Sequence, residues 1–190
     1  MPIEPDVKDW TWVLERPCPE CGFDATAVSY ADIPDRAREC AARLRDALGR
    51  ADVAVRPDEH TWSALEYAAH VRDVCRVFAY RVAVAAAAPA MDPGVAAFNP
   101  AVTMVDGLPQ FANWDQDAAA LAGNYRDLDP AVLGAELAVA ADAVAEVIAA
   151  VPAGDRDRRV RRGGGSTFTV ETLAQYFLHD LVHHVHDVGC

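Results

Sequence analysis

Lysine is almost missing from this chain: Lys8 is the only one, so nearly all of the positive charge is arginine. Positive charge as a whole is also short, with 17 Lys and Arg against 29 Asp and Glu and a net charge of -12. Phosphate recognition needs a basic surface, so the balance argues against a nucleic-acid ligand. Long apolar runs are missing too. None approaches the roughly 20 residues that cross a bilayer, and MPIEPDVKDW has neither the basic nor the apolar region of a signal peptide; a cytoplasmic protein without membrane contact is expected. The five cysteines, Cys18, Cys21, Cys40, Cys75 and Cys190, form an odd set without framework spacing, so reduced thiols are expected. Internal repeats and convincing strand runs are absent as well.

What is present fits a single helical domain. With 190 residues, 52% of them apolar, the chain can bury one real core but hardly two, so residues 1–190 are expected to form one domain with an irregular lead-in over 1–32. Pro34 opens a first helix over 33–49, whose Ala37, Cys40, Ala41, Leu44 and Leu48 recur at spacings of three and four. Thr61 is a candidate cap for a long second helix running towards Pro89. Prolines and glycines break all periodicity over 89–109. A third helical region over 114–151 is interrupted at RDLDP, where Asp129 and Pro130 mark a fresh start. An arginine-rich loop or short hairpin then leads to a last helix over 169–187, opened by the capping pattern TVET. The expected fold class is therefore all-α, a four-helix bundle with little or no strand.

The last helix carries the chemistry. YFLHDLVHHVHDVG holds four of the six histidines between His179 and His186. On an ideal helix His179 and His183 lie about 40° apart on successive turns, with His186 just to the other side of His179, whereas His184 points about 100° away from His183. Two imidazoles so placed can share one metal ion. Opposite an apolar arc they can equally face water, and the helix alone leaves both readings open. The second helix adds His70, with Glu66 one turn before it and Asp73 less than a turn after. One histidine from one helix and an i, i+4 pair from another make a three-ligand set with an open position for water or substrate. Glu66, Asp73, Asp180 and Asp187 are candidates to orient the rings from behind.

RPDEHTWSALEYAAHVRD together with FTVETLAQYFLHDLVHHVHDVG resembles the DinB-like superfamily, which includes bacillithiol and mycothiol S-transferases and mycothiol-dependent maleylpyruvate isomerases. FANWDQDA is similar to a segment of a DinB-like subgroup. The resemblance implies an up-down-down-up bundle that holds a divalent metal through one histidine of the second helix and a pair of the last. Carried over, these are His70, His179 and His183; Asp180 with His184 is the competing pair. It also implies metal-assisted transfer of a low-molecular-weight thiol, mycothiol-like, to a small electrophile. Zinc accepts imidazole and thiolate together and is the first choice, with nickel and iron also compatible.

Substrate contacts are expected from Trp62, Asn113, Arg159, Arg161 and His186, the arginines by paired hydrogen bonds to a carboxylate or phosphate. A solvated loop is the plainer reading of the arginines, and a helix cap that of Asn113 or Asp115. CPECG, with Cys18 and Cys21, matches half of a zinc ribbon whose second half is not found among the other cysteines. A metal clip, a redox dithiol and a plain turn all suit it, the plain turn first. Two functions are thus in view: a metal-dependent thiol transferase or isomerase on a small-molecule substrate, and a metal-binding stress-response bundle without turnover, either of them compatible with a homodimer.

Overall fold

Short polar side chains set where the helices begin. In the structure, a computed structural model that describes residues 9–190, Ser63 and Glu66 form a capping box at the start of α2 (Ala64–Ala85), each side chain accepting from the other's backbone N–H. This start lies two residues beyond Thr61, whose hydroxyl is bound to Asp58 instead at 3.0 Å. Asp129 caps α4 (Pro130–Ala149), with Pro130 in its first turn, and Thr169 caps α5 (Val170–Val188). α1 (Ile33–Ala47) carries Pro34 in its first turn and buries Ala37, Cys40, Ala41 and Leu44. A short α3 (Gln116–Ala122), capped by Asp115, and a 3-10 turn at Tyr125–Asp127 fill the interruption before α4. Residues 1–8, which include Lys8 and most of the segment read for a leader, lie outside the described residues. No helix of the described residues is long and apolar enough to cross a membrane.

α1 and α2 each pack against both α4 and α5, and the apolar faces of these four helices make one continuous core. α2 is buried on nearly every side, which is why polar side chains on it, His70, Asp73 and Arg81, end up in the interior. Each of them needs a partner there.

The expectation of an all-α bundle is corrected by a four-stranded mixed sheet in the order β1-β2-β3-β4, alongside five α-helices among the described residues. β1 (Val102–Val105) and β2 (Leu108–Phe111) are antiparallel across Asp106 and Gly107, both at positive φ (52° and 76°), the conformation of a two-residue hairpin turn. β2 runs parallel to β3 (Arg159–Arg162), and β3 pairs antiparallel with β4 (Thr167–Thr169). Phe111, Val160 and Phe168 are buried and join this sheet to the bundle core. Strand alternation therefore decides the arginines: Val160 turns inward and its neighbour Arg159 outward.

Candidate metal centre

α5 presents two i, i+4 pairs offset by one residue, His179 with His183 and Asp180 with His184, which ideal helix geometry separates by about 100°. Because they diverge, they meet different neighbours. Asp180 and His184 turn towards His70 on α2; His179 and His183 turn towards Cys18 and Cys21 of the lead-in. Within each group the ligand atoms all lie within 4.8 Å of one another. The structure thus brings His179 and His183 together, as the spacing implies, but joins His70 to the competing pair.

In the first group Asp180 Oδ1 is 3.5 Å from His70 Nε2 and 3.4 Å from His184 Nε2. Neither His70 nitrogen, nor Asp180 Oδ1, makes a hydrogen bond of acceptable geometry among the described residues. His184 Nδ1 is 2.9 Å from Asp187 Oδ2. A neutral His184 donates there, which leaves the Nε2 lone pair facing a carboxylate oxygen. A cation lying between the two would satisfy both the lone pair and the carboxylate. The spacing suits one: metal–nitrogen bonds of about 2.0–2.1 Å in a tetrahedron give edges of about 3.3–3.4 Å. Burial depresses the pKa of His70, more than the nearby Asp180 raises it, so the ring is neutral and its lone pair is available.

Two indoles pack against the His70 ring. Trp114 lies parallel to it with centroids 5.6 Å apart, and Trp62 is tilted against it at 5.3 Å. Trp114 is itself anchored by donating from Nε1 to the Ala96 carbonyl at 3.2 Å, so the insertion before β1 positions a wall of the site.

In the second group CPECG folds into a tight turn, with Gly22 N–H on the Cys18 carbonyl, Cys18 N–H on the Phe23 carbonyl, and Gly22 at a φ of 73°. Cys18 Sγ is 3.7 Å from His183 Nδ1, and His183 Nε2 is 3.3 Å from Glu20 Oε2. Trp10 covers both imidazoles, with centroids 5.6 Å from His179 and 5.0 Å from His183. Burial pushes the His179 pKa down to about 4 and that of Cys21 up to about 11. All five cysteines are free.

A cavity of about 660 Å³ opens over both groups and is lined by Asp180, His184, His179, His183, Trp62 and Trp114, with Arg81, Asn113, Arg162 and Tyr176 in its walls. Trp62 and Asn113, expected to contact substrate, line this cavity. Arg159, Arg161 and His186 do not line it: Arg159 and His186 are exposed, and Arg161 pairs with Asp106 of the hairpin turn. Glu66 is engaged by Arg56 and Ser63, while Asp73 is bound by Arg72, Arg76 and, at 2.6 Å, the Tyr125 hydroxyl; neither orients a histidine. Asp187 does. Sequence reasoning missed Arg81, whose buried guanidinium lies 4.7 Å over the Phe111 ring and remains cationic although burial lowers its pKa to about 10. A lone arginine in an otherwise apolar stretch of α2 was the available signal.

A family model described as the DinB superfamily matches residues 34–188. Among curated proteins and among solved structures, no match to the chain is found.

Proposed function

Because the chain belongs to the DinB superfamily, we propose that His70, Asp180 and His184 hold a divalent cation, zinc first, at the floor of an active site that joins a low-molecular-weight thiol, mycothiol-like, to a small electrophile. The observation that carries this reading is the convergence of His70, Asp180 and His184 under an open cavity, with two ring nitrogens facing one carboxylate oxygen. Three protein ligands leave a fourth position for substrate. A cation bound there supplies positive charge that favours the thiolate, the nucleophilic form.

The chain's own residues divide the remaining work. Asp187 fixes the His184 tautomer. Trp62 and Trp114 hold the His70 ring and keep bulk water from it. Arg81 and Arg162 place two guanidinium groups on one wall, suited to an anionic group of the substrate. Arg162 Nη1 donates to the Tyr176 hydroxyl at 3.2 Å, and burial keeps that phenol protonated, so its O–H is available to donate into the cavity.

The test is turnover of monochlorobimane by zinc-loaded protein with a panel of low-molecular-weight thiols, alongside zinc content. Activity with one thiol, lost together with one zinc equivalent in His70→Ala and Asp180→Ala, is the expected result. Zinc retained in full by both variants overturns the ligand set. Zinc lost without turnover on any thiol in wild type overturns the thiol chemistry and leaves a metal-binding bundle.

A further inference from the structure

The CPECG turn and the outer histidine pair of α5 are not used by the site just described, yet they meet. We propose that Cys18, Cys21, His179 and His183 bind a second zinc ion in a closed tetrahedral site that clasps the lead-in segment onto α5. Four observations carry this. The four ligand atoms lie within 4.8 Å of one another, although the residues come from opposite ends of the chain. His179 Nε2 is buried and has no hydrogen-bond partner among the described residues. The 3.7 Å between Cys18 Sγ and His183 Nδ1 is close to the edge of about 3.5 Å that metal–sulfur bonds of about 2.3 Å and metal–nitrogen bonds of about 2.0 Å give in a tetrahedron. Finally, Glu20, inside the CPECG turn, faces the opposite nitrogen of His183 at 3.3 Å, the arrangement that fixes a ligating imidazole with its lone pair towards the metal.

A single S–H···N hydrogen bond between Cys18 and His183 satisfies one pair and leaves the buried His179 Nε2 without a partner among the described residues. Two thiolates and two neutral imidazoles satisfy all four positions, give a site without net charge, and release two protons as zinc binds. Four protein ligands leave no open position, so this zinc is structural. Its surroundings agree: Trp10 covers both rings and Phe23 packs edge-on against His179 at 5.5 Å. The site also has a consequence for the cavity, because Trp10, Glu20, His179 and His183 form one of its walls. The clasp therefore holds that wall in place beside the first site, with the ring centroids of His183 and His184 6.1 Å apart.

The experiment uses the full chain, its metal content, and reconstitution of the metal-free protein with Co²⁺. Wild type is expected to take up two ions and to show thiolate-to-cobalt charge transfer in the near ultraviolet. Cys21→Ser, at a partly exposed position, and His183→Ala each lose one equivalent, and Cys21→Ser weakens the charge-transfer band. His70→Ala also loses one equivalent but keeps the band unchanged, so failure of the first site and failure of this one read differently. Metal removal or Cys21→Ser speeds proteolytic cleavage within residues 9–32, whereas His70→Ala does not. Wild type without a thiolate band, a Cys18–Cys21 disulfide in the protein purified under reducing conditions, or unchanged metal content in Cys18→Ser/Cys21→Ser overturns the proposal.

Discussion

Replacing Asp187 by alanine separates the two metal groups. Asp187 Oδ2 accepts from His184 Nδ1 at 2.9 Å, and its other oxygen is 3.9 Å from His183 Nε2, too far for a hydrogen bond. With Asp187 removed, His184 is free to adopt the other tautomer and donate from Nε2 to Asp180 Oδ1, 3.4 Å away. That bond stabilises the metal-free state, and zinc binding at Nε2 must then shift the ring proton back to Nδ1, where no carboxylate receives it. Loss of such an orienting carboxylate typically weakens metal binding by about 10- to 100-fold. The expected penalty is about 1.4–2.8 kcal/mol. Zinc titration of metal-free protein against a chromophoric chelator measures it, and the site on His70 is the one weakened. Glu20→Ala, which removes the carboxylate beside His183, weakens the Cys18 site instead. The reasoning is refuted if Asp187→Ala lowers both affinities equally, or changes neither by close to tenfold.

Tyr125→Phe removes a 2.6 Å hydrogen bond to the buried Asp73 carboxylate and is expected to destabilise the fold by about 1.5–3 kcal/mol in urea titration, with zinc content unchanged. Ser63→Ala breaks the capping box of α2 and costs about 0.5–2 kcal/mol by the same assay. Burial opposes ionisation of Glu66, but Arg56 and Ser63 prevail and hold its pKa below the ordinary glutamate value. A depressed folded-state pKa contributes stability above the unfolded value, and that contribution is lost as pH falls through the folded value. The urea midpoint should therefore fall as the buffer is taken below about pH 4.5, and Glu66→Gln should flatten that dependence.

Helical periodicity and capping residues were legible because they act over a few neighbouring positions. Pro34, Asp129 with Pro130, and Thr169 mark helix starts that the structure keeps. Of the sheet only the arginine-rich segment was read, as a loop or short hairpin, although Asp106-Gly107 between VTMV and LPQF is a hairpin signal: the strands are only three or four residues long, Pro109 interrupts one of them, and the β2–β3 pairing joins distant segments. The histidines of α5 were legible as ligand pairs, but not their partners. His179 with His183 and Asp180 with His184 have the same spacing, and only the rotation of α5 in the bundle decides which pair faces His70. The missing half of the CPECG site was sought among cysteines; it lies on α5 as histidines, a long-range pairing that no local pattern encodes.

The most direct test of the central claim is anomalous diffraction at the zinc edge from crystals of zinc-loaded protein. The account predicts a peak bound by His70 Nε2, Asp180 Oδ1 and His184 Nε2, facing the cavity. A lone peak at Cys18 and Cys21 with nothing at His70, or a peak that joins His70 to His179 and His183, contradicts it.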